Sequence, residues 1–181
     1  CDWSSDVCSS DLGPSIMHCA DATKPLTYNQ LVEAATVGIQ ELFPWDLDER
    51  LKAGEDLLLV DVRESHEYDT MHIEHALHVP RGILEAAAEW GYEETEPELV
   101  QARERTVVLI CRSGHRSVMA AHSLKCMGFR DVWSLKTGLR GWNEYELPLV
   151  GQAEEAIAIA TADAYFVTKL LPHQRKPTDS D

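Results

Sequence analysis

Residues 106–117 read TVVLICRSGHRS, and this stretch decides the fold class of the chain. Thr106–Ile110 is a continuous apolar run, which is typical of a strand buried on both faces of a parallel sheet. The residues from His115 to Met127 favour a helix that ends at Gly128, because glycine accepts the left-handed backbone that terminates many helices. The stretch therefore predicts a strand, a short loop and a helix in immediate succession.

The same alternation extends over most of the chain. Leu57–Val60 is a second continuous apolar run, while Ala76–Val79 and Asp131–Leu135 are further strand candidates. Helices are predicted from a capping box at Thr27 through an apolar face that reaches Leu42, and over Asp46–Ala53, Ile83–Trp90, Pro97–Arg105, Leu139–Tyr145 and Gln152–Leu171. Short buried strands that alternate with helices predict an α/β layered domain with a mostly parallel sheet.

The composition limits the functions open to this chain. Its 181 residues, 44% of them hydrophobic, fit one globular domain with appendages. No stretch reaches the roughly 18 apolar residues of a membrane span, which predicts a soluble protein. The formal net charge of −15 argues against a general binder of nucleic acid or of anionic membranes. Five cysteines without a repeating spacing form neither a disulfide framework nor a zinc ribbon, and they favour a reducing compartment such as the cytoplasm.

The two ends are interpreted as additions to that domain. Residues 1–12, CDWSSDVCSSDL, resemble the translation of a sequencing-adapter oligonucleotide and are interpreted as non-native. Without the three aspartates of this segment, the net charge of −15 becomes −12. Met17 is then a candidate natural start, and the loss of a signal peptide from this end stays open. Residues 172–181 are polar and contain two prolines, which predicts a flexible tail.

Cys111 is the candidate nucleophile. It follows the predicted strand Thr106–Ile110 at its carboxyl end, which is where ligands bind in open α/β sheets. Small residues in the loop let backbone N–H groups converge beside a helix N-terminus, and this geometry stabilises an anion. Arg112, His115 and Arg116 add positive charge, so the thiolate is favoured over the thiol. A thiolate in a basic cradle at a strand–helix turn is typical of a cysteine nucleophile.

Four stretches of the chain resemble the rhodanese-like sulfurtransferase family. In family order they are LLLVDVRESHEY (57–68), HIEHALHVPRG (72–82), CRSGHRS (111–117) and SLKTGLRGWNEYELPLV (134–150). The third stretch matches the family's active-site loop, C-x-x-G-x-R-[ST]. Two positions depart from the family pattern, because Glu74-His75 replaces Pro-Gly and Thr137 replaces the first glycine of the closing pair.

The resemblance implies the architecture of the whole chain. Residues 44–150 are expected to form a rhodanese-like domain, with a sheet of about five strands flanked by helices on both faces. Residues 13–43 are then an N-terminal extension with one helix, and residues 151–171 are a C-terminal helix. The resemblance also implies that sulfane sulfur is transferred through a persulfide on Cys111.

The resemblance further implies the roles of single residues. Cys111 is expected to take the outer sulfur of thiosulfate or of a persulfide donor, and a thiol, cyanide or a protein cysteine then accepts it. The loop that holds the persulfide consists of Arg112, Ser113, Gly114, His115, Arg116 and Ser117. Arg112 and Arg116 are placed to attract an anionic donor, although a role of Arg116 in bracing the loop stays open. No metal and no organic cofactor is expected.

Two other functions stay open. Cysteine-dependent phosphatases and arsenate reductases share the general design but resemble C-x5-R, whereas Cys111 and Arg116 give C-x4-R. A phosphoryl group needs room for several oxygens, and its leaving oxygen usually needs a carboxylic acid, which the loop lacks. The shorter loop therefore favours sulfur transfer. The other alternative is a non-catalytic or signalling module that binds sulfur.

Several residues outside the loop are weaker candidates. Asp61, Arg63 and Glu67 either line the site or brace the sheet edge through salt bridges, and bracing is favoured. A metal site is disfavoured because the predicted change from loop to strand would separate the histidines and no acidic or cysteine ligand is spaced to join them. These histidines are His66, His72, His75 and His78. Cys126 is predicted to lie in the core, and Trp142 in the core or at the rim of the site.

The helices predicted outside the family segment carry more apolar surface than a free helix exposes. They lie near Tyr28–Leu42 and over Gln152–Leu171. They pack either on each other and on the domain, or against a second copy of the chain. Monomer and homodimer therefore both stay open.

Overall fold

The computed structural model describes residues 25–176, and its centre is a parallel sheet. The five strands are β1 (Gln40–Leu42), β2 (Leu57–Asp61), β3 (Leu77–His78), β4 (Thr106–Ile110) and β5 (Asp131–Leu135). Their order in the sheet is β1-β5-β4-β2-β3, and every neighbouring pair is parallel. The predicted α/β fold with a sheet of about five strands is confirmed. The adapter-like residues 1–12 and the last five residues of the predicted tail lie outside the described residues.

Helices surround this sheet on both faces. The α-helices of the described residues are α1 (Tyr28–Thr36), α2 (Pro44–Lys52), α3 (Ser65–Thr70), α4 (Leu84–Ala87), α5 (Pro97–Gln101), α6 (His115–Cys126), α7 (Gly138–Glu144) and α8 (Ile159–Phe166). Short 3-10 turns cover Arg81–Ile83, Ala102–Glu104 and Pro172–Gln174. Within this part of the chain, no helix is both long and apolar enough to cross a membrane.

Each face of the sheet has its own hydrophobic core. Successive residues of a strand point to opposite faces, so Val107 and Leu109 enter one core while Val108 and Ile110 enter the other. The first core is completed mainly by α4, α5 and α6, and the second by α2, α7 and α8. All four of these β4 residues are fully buried, which is why the strand is apolar without alternation.

The strand order opens a crevice at one edge of the sheet. The chain leaves β2 toward β3 on one side, and it leaves the neighbouring strand β4 toward β5 on the other side. Where connections diverge in this way, open space lies beyond the carboxyl ends of the two strands, and ligands bind there. These ends are Asp61 and Ile110, which are partners in the β2–β4 register. The loop of residues 111–117 begins directly after Ile110, at this edge of the sheet.

The prediction of a helix that continues through Leu42 is wrong. Helix α1 ends at Thr36, and Gly38 has a φ of 78°, a left-handed conformation that glycine adopts without steric cost. The chain then forms the edge strand β1, so the sheet begins within the segment expected to be an extension. Ile39 and Leu42 are compatible with a helix and with a strand. Two or three apolar positions are too few to distinguish the 3.6-residue period of a helix from the two-residue period of a strand.

Two more predicted helices are shorter in the structure. Gln152–Leu171 has one helix over Ile159–Phe166 rather than along its whole length. Before it, Glu154 has a φ of 61°, and the N–H of Gly151 donates to the carbonyl of Glu155 at 2.9 Å. This turn is incompatible with a helix, and local tertiary contacts outweigh the helical propensity of the segment.

Helix α4 is limited to four residues instead of the predicted Ile83–Trp90. The carbonyl of Ala87 accepts the N–H of Glu96 at 2.9 Å, and the carbonyl of Glu89 accepts the Thr95 hydroxyl at 2.8 Å. These carbonyls therefore bond to the following loop and do not continue the helix.

The flanking helices pack on the domain itself. Helix α1 lies against α6, and its Ala35 is fully buried. Helix α8 lies against α7, where the Asn143 amide donates to the Asp163 carboxylate at 2.7 Å. Both helices thus lie close to elements that carry the Cys111 loop (residues 111–117).

Candidate active site

The Cys111 loop connects the central strand to the start of α6. Cys111 follows the last residue of β4, and α6 begins at His115. Between them, Gly114 has a φ of 90°, so the chain reverses in a conformation that favours glycine. The turn places the N-terminus of α6 next to the sulfur at the edge of the crevice.

The sulfur of Cys111 is buried and held by hydrogen bonds from its own loop. The backbone N–H of Gly114 donates to Sγ at 3.1 Å, and the Ser117 hydroxyl lies 3.4 Å from Sγ. The Ser117 hydroxyl also donates to the carbonyl of Gly114 at 2.9 Å. The sulfur therefore lies between a backbone N–H donor and a hydroxyl, at the N-terminus of α6.

Ser134 is a contributor that the sequence reasoning missed. This residue of β5 is fully buried, and its hydroxyl lies 2.8 Å from that of Ser117. The hydroxyl pair joins the Cys111 loop to the neighbouring strand. A single small polar residue in the otherwise largely apolar strand Asp131–Leu135 is the signal that points to it.

Helix α7 supports the loop from behind. The N–H of Leu139 donates to the carbonyl of Cys111 at 2.8 Å, and the N–H of Arg140 donates to that of Arg112 at 3.0 Å. Gly138 has a φ of 60° and lies so close that an added Cβ would meet the nitrogen of Ser113 at 2.6 Å. Glycine is therefore required at position 138 for the loop to keep this path.

Arg116 forms an ion pair with Glu67. Its guanidinium donates to the two carboxylate oxygens at 2.6 and 2.8 Å, and Glu64 lies 4.0 Å away. The hydrogen bond that Arg116 donates to Glu67 raises the pKa of Arg116 despite partial burial. Burial tends to raise the pKa of Glu67, but Arg116 outweighs it and holds that pKa below its ordinary value. Arg116 is thus engaged in bracing the loop.

Arg112 is held by the C-terminal helix. Its guanidinium donates to the carbonyl of Tyr165 at 3.1 Å. It also lies over the rings of Tyr165 and Phe166, 5.0 and 5.2 Å from their centroids. Cation–π contacts of this kind fix the direction of a guanidinium. The two arginines expected to attract a donor therefore both have partners within the protein.

Asp61, the last residue of β2, and Arg63 form a fully buried ion pair. The Arg63 guanidinium contacts the Asp61 carboxylate at 2.7 Å and donates to the carbonyls of Glu67 and Met71 at 3.0 and 2.6 Å. These bonds fix both ends of α3. Because Glu67 in turn holds Arg116, the three supporting residues connect the end of β2 to the Cys111 loop.

Ser113 and His115 face a cleft on the side of α1. The cleft has a volume of about 230 Å³ and is also lined by Val32, Lys136 and Thr137. At its loop end, the ring of Tyr28 meets that of His115 edge-on, with 5.5 Å between centroids. The N-terminal extension therefore reaches the loop.

The histidines after β2 make stacking contacts. The Tyr68 ring stacks on His72 at 3.9 Å and on His78 at 4.4 Å between centroids, while His66 and His75 lie apart from this stack on exposed positions. Across residues 25–176, no three His, Cys, Asp or Glu side chains are grouped to hold a metal ion.

Cys126 is exposed at the last residue of α6, so its prediction as a core residue is wrong. The buried face of α6 passes through Ala120, Ala121 and Leu124, and Cys126 lies off that face. Trp142 is buried in the second core, where its indole N–H donates to the carbonyl of Pro148 at 2.9 Å.

The chain is similar to known proteins over this region. The family model of the rhodanese-like domain matches residues 44–145. A candidate sulfur carrier protein of Bacillus subtilis (strain 168) is 35% identical over 94 residues, which are 52% of this chain and 45% of that protein. A sulfurtransferase of Allochromatium vinosum is 32% identical over 112 residues, 62% of this chain and 95% of that protein.

A solved structure of the same kind of protein also resembles this fold. The crystal structure of a thiosulfate sulfurtransferase from Pseudomonas aeruginosa superimposes with a TM-score of 0.56 and 26% identity, covering 74% of this chain and 25% of that one. The family model matches more than half of this chain, over four of the five strands and the loop described above. The chain belongs to the rhodanese-like domain family.

Proposed function

We propose that this chain is a sulfurtransferase that carries sulfane sulfur on Cys111. Family membership and the sulfur-related names of its relatives support sulfur transfer in general. The finer proposal is that thiosulfate or a persulfide is the donor and that a thiol, cyanide or a protein cysteine is the acceptor. The chain spans about half the length of the sulfur carrier relative, so the role of that whole protein is not carried over.

One observation carries the proposal: Sγ of Cys111 lies at the start of α6 with the Gly114 N–H 3.1 Å away, inside a C-x4-R loop. A persulfide anion formed there meets an N–H donor that is already in place, which is a form of electrostatic preorganisation. Arg116 braces the loop by pairing with Glu67. The short loop leaves room for one added sulfur in preference to a phosphoryl group.

The chemistry takes two steps. The thiolate of Cys111 attacks the outer sulfur of the donor, a new S–S bond forms, and the bond between that sulfur and the rest of the donor breaks. Sulfite leaves from thiosulfate, or a thiolate from an organic persulfide, and the persulfide anion remains on Cys111. An acceptor nucleophile then takes the outer sulfur and releases the Cys111 thiolate.

The test is to incubate the protein with a donor and no acceptor, and to locate added sulfur by peptide mass mapping. Thiosulfate, glutathione persulfide and mercaptopyruvate serve as donors, with a phosphate ester and an arsenate as controls. We expect one added sulfur atom on Cys111, and none in Cys111→Ser. Cys126→Ser is the matched control, because Cys126 is the other free cysteine of the described residues and is exposed.

The outcomes separate the candidate functions. Sulfur loading followed by transfer to cyanide or a thiol supports a sulfurtransferase, whereas loading without transfer to any acceptor would indicate a sulfur-binding module. Turnover of the phosphate ester or arsenate alone would overturn the proposal in favour of a phosphatase or reductase. Labelling of Cys126 in place of Cys111 would show that the nucleophile is misassigned.

A further inference from the structure

Helix α1 precedes the segment matched by the family model, yet it is fixed beside the Cys111 loop. Its N-terminus is closed by a capping box between Thr27 and Gln30. After its C-terminus, the Lys125 ammonium of α6 donates to the carbonyl of Gly38 at 2.7 Å. Because α1 is capped, packs on α6 and is held after its C-terminus by Lys125, its first residue, Tyr28, has a defined position.

Tyr28 lies at the mouth of the site. Its ring contacts His115, the first residue of α6 and a member of the loop. Partial burial raises the pKa of the Tyr28 hydroxyl, the charge of the Cys111 thiolate raises it further, and Arg116 opposes both. The residue is nevertheless 54% exposed, so part of it is accessible to a ligand.

The Lys and Arg side chains around the mouth each have a partner within the protein: Lys136, which lines the cleft beside the loop, lies 3.8 Å from the Glu41 carboxylate. Arg116 is neutralised by Glu67, and Arg112 is directed to the rings and carbonyl of α8. Glu64, 4.0 Å from Arg116, has a side chain that is 57% exposed. A dianion would therefore approach a carboxylate, and within the described loop no guanidinium lacks a protein partner.

We propose that Tyr28 is a substrate-contacting residue that makes the site select organic persulfides, R–S–SH with a carbon-bearing R group, over thiosulfate. This inference rests on the proposed sulfurtransferase function. An aromatic ring packs against carbon-bearing groups and gains little from a hydrated dianion. The exposed carboxylate of Glu64 disfavours the dianion further.

The donor step is balanced without another reactant. The Cys111 thiolate forms a bond to the outer sulfur of R–S–SH, and the S–S bond of the donor breaks. The leaving thiolate R–S⁻ takes the proton of the transferred sulfur. The products are the Cys111 persulfide anion and the neutral thiol R–SH, and no external oxidant or reductant is needed.

The experiment compares two donors in single-turnover formation of the persulfide, with glutathione persulfide as the organic probe and thiosulfate as the inorganic probe. We expect Tyr28→Ala to lower the second-order rate constant for glutathione persulfide roughly fivefold, the loss typical of one aromatic contact, with less than about a twofold change for thiosulfate. Tyr28→Phe keeps the ring and is expected to keep most of the preference. Tyr28→Arg adds a cation and is expected to raise the thiosulfate rate constant about twofold or more.

Tyr145→Ala is the matched control. Tyr145 is also 54% exposed, but its ring packs against Trp45, 4.6 Å away between centroids. The Tyr145→Ala variant is expected to leave the ratio of the rate constants for glutathione persulfide and thiosulfate unchanged. Circular dichroism and thermal unfolding of every variant establish that α1 remains folded.

The outcomes distinguish this inference from the proposed function. A wild-type protein that reacts with both donors, together with an unchanged donor ratio in Tyr28→Ala and Tyr28→Arg, would overturn the role of Tyr28 alone. An equal fall of the rate constants for both donors in Tyr28→Ala would assign Tyr28 a structural role. That result would also overturn its proposed role in donor selection. A wild-type protein that forms no persulfide with either donor would overturn the function and this inference together.

Discussion

The Arg116 guanidinium and the Glu67 carboxylate meet through two hydrogen bonds, at 2.6 and 2.8 Å, and join the start of α6 to the first turn of α3. Their side chains are 27% and 11% exposed. Two parallel bonds between a guanidinium and a carboxylate restrict both position and angle. The pair therefore fixes the Cys111 loop against the segment that follows β2.

Removing the carboxylate charge tests this bracing role. Glu67→Gln keeps the shape of the side chain but leaves Arg116 without its anion, so we expect the free energy of unfolding to fall by about 1–3 kcal/mol. Persulfide formation should slow because the loop is held less tightly. Urea unfolding and single-turnover kinetics measure the two effects.

The exposed pair Arg81–Glu85 supplies the control. Its side chains are 29% and 46% exposed, and such surface pairs contribute about 1 kcal/mol or less. Glu85→Gln is expected to cost less stability than Glu67→Gln and to leave persulfide formation unchanged. Equal losses in the two variants would contradict the bracing role.

The same ion pair predicts how stability depends on pH. Burial tends to raise the pKa of Glu67, but the hydrogen bond and charge of Arg116 lower it by more. The pKa of Glu67 in the folded protein is therefore lower than its ordinary value of 4.5. The stabilisation is therefore complete above about pH 4.5 and is lost as the pH falls through the lower, folded-state pKa. We expect the difference in unfolding free energy between the wild type and Glu67→Gln to shrink as the pH falls from neutral to about 3. A difference that stays constant over this range would exclude the ion pair as its source.

Gly138→Ala tests the support of the loop by α7. An added Cβ would meet the nitrogen of Ser113 at 2.6 Å and the carbonyl carbon of Arg112 at 2.7 Å, so the loop has to shift. We expect the rate of persulfide formation to fall by about tenfold or more, because small displacements of a reacting group are costly.

Gly128→Ala is the control, since Gly128 also has a positive φ, of 89°, but has open space around the added Cβ. It is expected to lose about 1–2 kcal/mol of stability through backbone strain alone and to keep its activity. Similar activities in the two variants would show that the loop tolerates the displacement.

Thr137→Gly tests the cost of one departure from the family pattern. Thr137 has a φ of 64°, a conformation that is unfavourable for a β-branched residue. Relief of this strain outweighs the added entropy of glycine in the unfolded chain, so we expect a gain of about 0.5–1 kcal/mol in urea unfolding. His75→Gly, at a φ of 62°, is expected to gain less because histidine is not β-branched. A loss of stability in Thr137→Gly would mean that contacts of the threonine side chain outweigh its strain.

Local signals in the sequence predicted the part of the fold that holds the nucleophile. Thr106–Ile110 is recognisable because a strand buried on both faces has to be apolar throughout, and Gly114 and Gly128 mark the turn before α6 and its end. The capping box at Thr27 likewise fixed the start of α1. These features depend on residues next to one another in the chain, so they can be read without knowing the packing.

Contacts between segments that are distant in the sequence decided the partners of the charged side chains, the position of Tyr28 and the length of α8. Arg112 is expected from its position to face a donor, but Tyr165 and Phe166, more than fifty residues later, take its guanidinium. Tyr28 reaches the loop because α1 packs on α6. The helix predicted over Gln152–Leu171 is shortened to Ile159–Phe166, because the chain first turns and forms a β-bridge between Val150 and Ala156. The sequence alone predicted the buried strand, the loop after it and the start of α6, which hold the candidate nucleophile Cys111. The partners of each charge depended on tertiary structure, because a long side chain has many rotamers and only packing selects among them.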